Sequence, residues 1–291
     1  MKKWQSKVEY LFEIVFSEKN QKKLEKATLW LSIIGFIIHL LLIYAKKFDF
    51  FVTPFEAGLL NNPISAIYTP FTIILIYEIY LLVLNLPRSF TTSVSKQFEI
   101  ISLILIRRIF ADIPKIDLSN EWFSTQANMQ LIYDVSGILV LYFLIHLFNK
   151  GRLKFPNKPI SPKIKKFVSS KKVVSLVLLF ILIVMSFTSV YNWANNLIYK
   201  HISADINAVF YNEFFSALIL ADVFILLLSF QYTERYNQII RNTGFIICTI
   251  LIRLSFGAPG LTNVVLIISS VLFGLLILSI YNLSEKNIIE E

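Results

Sequence analysis

The chain repeats itself across its two halves, and the repeat lies in apolar segments long enough to cross a membrane. Residues 104–110 read ILIRRIF and residues 250–256 read ILIRLSF, so that Arg253 follows Arg107 by 146 positions. The same shift places the apolar run 27–45 on the run 173–191. A membrane protein built from two copies of one unit tends to have its working site between or inside those units.

Charge distribution indicates the class of protein. Hydrophobic residues make up 56% of the chain and charged residues 16%, whereas a soluble domain has about a quarter of its residues charged. The runs 29–44 and 173–190 contain no Asp, Glu, Lys or Arg. Because roughly 20 apolar residues cross a hydrocarbon core of about 30 Å, we predict an all-α polytopic membrane protein.

Eight transmembrane helices are expected, in two parallel four-helix repeats. They cover residues 27–45, 64–86, 95–113, 128–148, 173–193, 214–232, 243–257 and 261–281. The third and seventh are weak spans, because they carry charges and have short apolar stretches. The internal match supports them, and such helices persist in lipid when neighbours shield them. Four spans per half give both halves the same orientation, related by an axis along the membrane normal.

Polar segments divide the chain further. The expected parts are an amphipathic cytoplasmic or interfacial helix at 1–26, the first repeat at 27–148, a basic cytoplasmic linker at 149–172, the second repeat at 173–283 and a cytoplasmic tail at 284–291. In the first part Trp4, Val8 and Leu11 recur at helical spacing. This helix can lie among lipid headgroups or pack on the protein's own inner surface, and the sequence leaves both open.

Basic residues set the expected orientation and partners. With the N-terminus in the cytoplasm, most of the 28 Lys and Arg residues fall on inner segments, as the positive-inside rule requires. Both termini are therefore expected in the cytoplasm, with the chain in the plasma (inner) membrane of a bacterium. The net charge of +9 indicates membrane topology and not nucleic-acid binding. The expected partners are the lipid bilayer, anionic lipid at 1–26 and 149–172, and further copies of the chain in a homo-oligomer.

Ionisable residues within the apolar segments form the candidate site. Each half has an acid on its second span and an arginine on its third, Glu78 with Arg107 and Asp222 with Arg253. Counting from the inner ends at 1.5 Å per residue puts all four about 13–18 Å deep. We therefore expect each acid to pair with the arginine of its own half.

Two interpretations of these charges remain open. They can line a path for a small ion, H⁺ or a monovalent cation, or they can be structural pairs that hold helices together. Asp134 enters the fourth span from the outer side, level with Arg107, and neither it nor Arg108 has a charged counterpart in the second half. That asymmetry favours the ion path. His39, at a similar depth, can relay protons or form a hydrogen bond inside the bundle.

The leading hypothesis is an integral membrane protein that conducts or transports a small ion along Glu78, Arg107, Asp134, Asp222 and Arg253. The alternative is a non-transporting membrane scaffold or effector that acts through protein partners. An intramembrane enzyme is a third class, but HExxH, Walker A and GxSxG motifs are absent, so we expect no catalysis and no cofactor. Three dispersed histidines and one cysteine indicate no metal site.

Overall fold

The fold is all-α, as predicted. The structure is a computed structural model that describes residues 2–48, 60, 62–113, 116, 122–152, 162–195, 206–233, 235–258 and 260–290. These residues form α-helices and a short 3-10 helix, Pro63–Ile67, with no β-strand among them. The α-helices are α1 Lys2–Val15, α2 Glu18–Lys47, α3 Tyr68–Asn85, α4 Phe90–Asp112, α5 Gln126–Arg152, α6 Pro162–Asn195, α7 Ile206–Phe230, α8 Tyr236–Ser255 and α9 Gly260–Glu290.

Six helical segments of the described chain are long and apolar enough to cross a membrane. They are Ser6–Lys47, Pro63–Asn85, Gln126–Arg152, Ile164–Thr188, Glu213–Phe230 and Gly260–Lys286. These helices indicate a membrane protein, and they coincide with six of the eight expected spans. The other two, the third and seventh, correspond to α4 and α8. Both form helices, of 23 and 20 residues. Their charged and polar residues make them less apolar than the six helices that could cross a membrane by composition alone.

Side-chain caps explain where several helices begin. Ser17 accepts a hydrogen bond from the Asn20 backbone N–H at 3.3 Å at the start of α2, and Ser89 caps α4 through the Thr92 N–H at 3.3 Å. Such caps satisfy backbone donors that the first turn leaves without helical partners. Pro162 begins α6, where its missing N–H costs no helical hydrogen bond. The expected basic linker 149–172 is largely helical, because α5 continues to Arg152 and α6 begins at Pro162. Only its middle part, 153–161, lies outside the described chain.

Consecutive helices pack in the same order in both halves. In the first, α2 contacts α3, α3 contacts α4 and α4 contacts α5; in the second, α6 contacts α7, α7 contacts α8 and α8 contacts α9. The halves meet where α5 contacts α9, α4 contacts α8 and α3 contacts α6. Three buried rings fill the centre, with Phe148 5.1 Å from Phe98 and 5.8 Å from Phe245 between ring centroids.

The N-terminal helix packs on the protein along one face. α1 contacts α6, Val8 is buried, and buried Phe16, just beyond the helix, stacks on Tyr80 with 5.5 Å between ring centroids. Leu11 and Ile14 remain exposed. The helix therefore uses part of its apolar surface for internal packing and leaves part of it available to a membrane surface.

Polar contacts join the start of the third helix to the end of the fourth in each half. In the first half, Asn149 of α5 accepts from Ser95 and donates to Glu99 of α4 at 2.5 and 3.2 Å. In the second half, Arg235 pairs with Glu285 at 3.2 Å, and the Arg241 guanidinium lies 4.3 Å from the Tyr281 ring centroid. These contacts give polar partners to the charged ends of α4 and α8.

Candidate functional site

The ion pair expected in the first half is present between α3 and α4. Arg107 Nε lies 3.3 Å from Glu78 Oε2, and the two side chains are 9% and 5% exposed. Arg107 also donates from Nη1 to the Phe71 carbonyl oxygen at 3.3 Å. The pair therefore joins the second helix of the half to the third, as depth along the helices predicts.

The pair expected in the second half is also present, between α7 and α8. Arg253 Nη1 lies 2.6 Å from Asp222 Oδ2, and both side chains are 2% exposed. Thr249 Oγ1 donates to the same carboxylate oxygen at 2.8 Å. Arg253 Nη2 donates to Gln97 Oε1 at 3.0 Å, and Gln97 belongs to α4. This pair is therefore tied to the other half of the molecule by a polar side chain that the sequence did not single out.

Asp134 pairs with Arg108 of α4. Its carboxylate is held by Arg108, with Nε 2.9 Å from Oδ2 and a second contact from Nη2 to Oδ1. Gln130 Nε2 donates to Oδ1 at 2.8 Å. Asp134 is level with Arg107 but does not pair with it, because neighbouring residues on a helix of 3.6 residues per turn point about 100° apart. Arg107 faces α3, whereas Arg108 faces α5.

His39 forms the hydrogen bond expected of a histidine inside a bundle. Its Nδ1 lies 2.6 Å from Thr69 Oγ1, which joins α2 to α3. A role in relaying protons stays a prediction.

A small cavity lies next to the second ion pair, where helices of both halves meet. Its polar lining comes from Ser93 and Gln97 of α4, Lys171 of α6, Asp222 of α7 and Thr249 of α8, and apolar side chains of the same region complete the wall. Its space accommodates about one water-sized sphere. The internal repeat predicts a site between the halves, and the cavity lies at such a junction.

Lys171 also lines this cavity, and nothing in the sequence indicated this. Its side chain is buried, with the residue only 3% exposed, and Nζ donates to the Arg88 carbonyl oxygen at 2.5 Å. Nζ also lies 4.7 and 5.4 Å from the ring centroids of Phe90 and Phe167, which is within cation–π range. In the sequence Lys171 stands in a basic stretch before an apolar run, where lysine normally marks the cytoplasmic side.

In the part of the chain that the structure describes, no group of three or more His, Cys, Asp or Glu side chains is placed to hold a metal ion.

Comparison with protein-family models, with curated proteins and with solved structures finds no match.

Proposed function

We propose that the chain is an integral protein of a bacterial plasma membrane, with eight spans in two parallel four-helix repeats and both termini in the cytoplasm. Three features support this arrangement. The six apolar helices account for six of the eight spans, and α4 and α8, the other two, are shielded by neighbouring helices on several sides. Each half pairs an acid on its second span with an arginine on its third. Each half also joins the start of its third helix to the end of its fourth.

We further propose that the protein passes a small ion across the bilayer at the junction of the two halves. The observation that carries this proposal is the small cavity beside Asp222, whose largely apolar wall includes two ionisable side chains and which is formed by helices of both halves. Ionisable residues are expensive inside a membrane and commonly mark ion pathways. Asp222 and Lys171 are both buried and both line this cavity, so a permeating ion would meet charged groups there.

Of the ions expected from the sequence, the proton suits this arrangement better than a monovalent cation. A metal cation would compete with Arg253, which lies 2.6 Å from the Asp222 carboxylate. A proton needs no room of its own beside Arg253, because it binds to a carboxylate oxygen, neutralises the carboxylate and so weakens the ion pair. We therefore assign the transfer of the proton to Asp222. Its carboxylate leaves its contacts with Arg253 and Thr249 when it takes up the proton and returns to them when it gives the proton up.

In this proposal the other charges have supporting roles. The Glu78–Arg107 pair holds α3 to α4, and the Asp134–Arg108 pair holds α4 to α5. Both pairs fix the position of α4, which supplies Ser93 and Gln97 to the cavity. His39 contributes a contact between α2 and α3. It would relay protons only if protons also travel through the first half.

One observation favours the scaffold alternative. Each of the three acids Glu78, Asp134 and Asp222 has an arginine within ion-pair distance, which is also what purely structural pairs require. A protein of this kind would act through partners and would pass no ion.

Flux through the purified protein separates the two candidates. Wild-type protein in proteoliposomes is exposed to an imposed pH gradient, with and without a membrane potential, and internal pH is followed beside empty vesicles. The proposal predicts proton flux above the empty-vesicle leak. Vesicles that contain folded protein and show no flux of protons or of other ions under either gradient would reject it and favour the scaffold.

A further inference from the structure

We propose that the cavity between α4, α6, α7 and α8 also binds a monovalent inorganic anion, such as chloride, through the Lys171 ammonium. The inference rests on the proposed function, because it adds an anion to the same site where Asp222 is assigned to exchange a proton. It depends on the charges around the cavity, on the surroundings of Lys171 and on the size of the space.

The charges around the cavity sum to a positive value. Among the described residues, Lys171 lines the cavity and Arg253 borders it, whereas Asp222 is the only acid in its wall. The Asp222 carboxylate is already held by Arg253 at 2.6 Å and by Thr249 at 2.8 Å. Arg253 and Lys171 thus share one carboxylate, which Arg253 contacts directly and Lys171 faces across the cavity. Two cationic side chains therefore have a single acidic partner in this wall.

The protein surrounds the Lys171 ammonium with weak partners. The Arg88 carbonyl oxygen takes one of its three donors, and the rings of Phe90 and Phe167 offer only their faces. A buried charge is costly unless it is paired. An anion in the cavity would supply the missing charge beside Nζ.

Other groups in the cavity wall also suit an anion. Ser93 carries a hydroxyl and Gln97 carries an amide, and both can donate hydrogen bonds. The single hydroxyl proton of Thr249 is already donated to Asp222, so Thr249 only completes the wall. Phe90 and Ser93 belong to the first turn of α4, where the helix dipole favours negative charge. The space accommodates about one water-sized sphere, which is slightly smaller than a chloride ion. Chloride therefore enters only with a small shift of the surrounding side chains, and a large organic anion such as gluconate does not enter.

Thermal unfolding of the detergent-purified protein tests the binding. The melting midpoint is measured at constant ionic strength while potassium gluconate is replaced by potassium chloride. A ligand that binds only the folded state raises the midpoint, and we expect a saturable rise of at least about 2 °C. If the wild-type protein shows no saturable difference between chloride and gluconate, that result by itself overturns the proposal.

Two matched variants locate the effect. Lys171→Met removes the ammonium but retains a long side chain, and it should abolish the response to chloride. Lys172→Met makes the same change at the next residue, whose Nζ lies 5.3 Å from the Phe12 ring centroid and outside the cavity wall, and it should keep the full response. Equal responses in the two variants would place the anion elsewhere and overturn the proposal.

If Lys171→Met does not fold, Ser93→Ala takes its place. Loss of one hydrogen bond of about 1 kcal/mol should raise the half-saturating chloride concentration about fivefold, and an unchanged value would overturn the proposal. The flux assay is read separately. Proton flux without chloride binding rejects the anion site and leaves the proposed function standing, whereas chloride binding without any flux rejects the proposed function and leaves the site.

Discussion

The carboxylate of Asp222 is held by two side chains of α8, the hydroxyl of Thr249 and the guanidinium of Arg253. Arg253 in turn reaches Gln97 of the other half. A charge buried to this degree persists only when an opposite charge and hydrogen bonds surround it. The pair therefore stabilises the contact between the halves only as long as both of its members are present.

Removal of one member of this pair should be costly. Arg253→Met leaves the Asp222 carboxylate buried without its partner, and we expect the unfolding free energy to fall by about 3–5 kcal/mol. Lys96→Met is the control, because the Lys96–Glu99 pair is about a third exposed and such pairs contribute about 1 kcal/mol or less. Denaturation in detergent measures both variants. A loss for Arg253→Met no larger than that of the control would show that the buried pair is absent.

For single residues, depth along a helix was enough to predict the arginine partners of two acids but not that of the third, Asp134. Glu78 and Asp222 pair with the arginines expected for them because each lies on a helix next to the arginine's own. The partner of Asp134 depended on which way Arg107 and Arg108 point, and that is fixed only by the packing of α4 between α3 and α5. The burial of Lys171 could not be predicted, because nothing in the lysine-rich stretch 163–172 indicates which lysine is buried.

At the scale of helices, α4 and α8 are the elements that composition describes least well. Their charges make them poor spans by hydropathy, yet α4 contacts α3, α5 and α8, and α8 contacts α4, α7 and α9. Neighbours on several sides provide the partners that lipid cannot. The match between residues 104–110 and 250–256 predicted two membrane-spanning helices here. Both segments are helical, and that they span the bilayer stays a prediction.

The contact between α5 and α9 depends on a glycine. A Cβ at Gly137 would lie 2.5 Å from Val264 Cγ1, and valine has little rotamer freedom with which to move away. We expect Gly137→Ala to lower the unfolding free energy by about 1–3 kcal/mol, the usual cost of overpacking. Val264→Ala in the same chain should recover much of the loss.

Gly257→Ala is the matched control for this change. A Cβ there meets only the Leu254 carbonyl oxygen, at 3.6 Å, which is an ordinary contact. The two single variants and the Gly137→Ala, Val264→Ala double variant can be compared by thermal unfolding. Equal melting midpoints for the two glycine variants would show that α5 and α9 do not approach this closely.

For the whole molecule, the sequence predicted the class and the order of helices better than it predicted the site. Apolar runs follow directly from the thickness of a bilayer, so six spans are recognisable from composition alone. The cavity brings together residues as far apart as Ser93, Lys171 and Thr249. Their meeting depends on how the halves pack, and no local pattern in the sequence encodes it.

The proposed topology makes a prediction about both ends of the chain. In that topology most Lys and Arg residues lie on inner segments and both termini are in the cytoplasm. A phosphatase that works only outside the inner membrane should be inactive when fused to either terminus, whereas a fluorescent protein that folds in the cytoplasm should be bright at both. Phosphatase activity at one terminus alone would mean an odd number of spans and would contradict the two parallel repeats.

Comparison of Asp222→Asn with Glu78→Gln in proteoliposomes, with a thermal melt beside each flux measurement, tests the proposed role of Asp222 in proton transfer. Both variants remove a buried carboxylate that is paired with an arginine, but of the two only Asp222 lines the cavity. We expect Asp222→Asn to reduce proton flux by about 100-fold, the low end of what a positioned proton-transfer group contributes. Glu78→Gln should lower the melting midpoint and retain flux in the folded protein. Undiminished flux in folded Asp222→Asn would rule out proton transfer through Asp222.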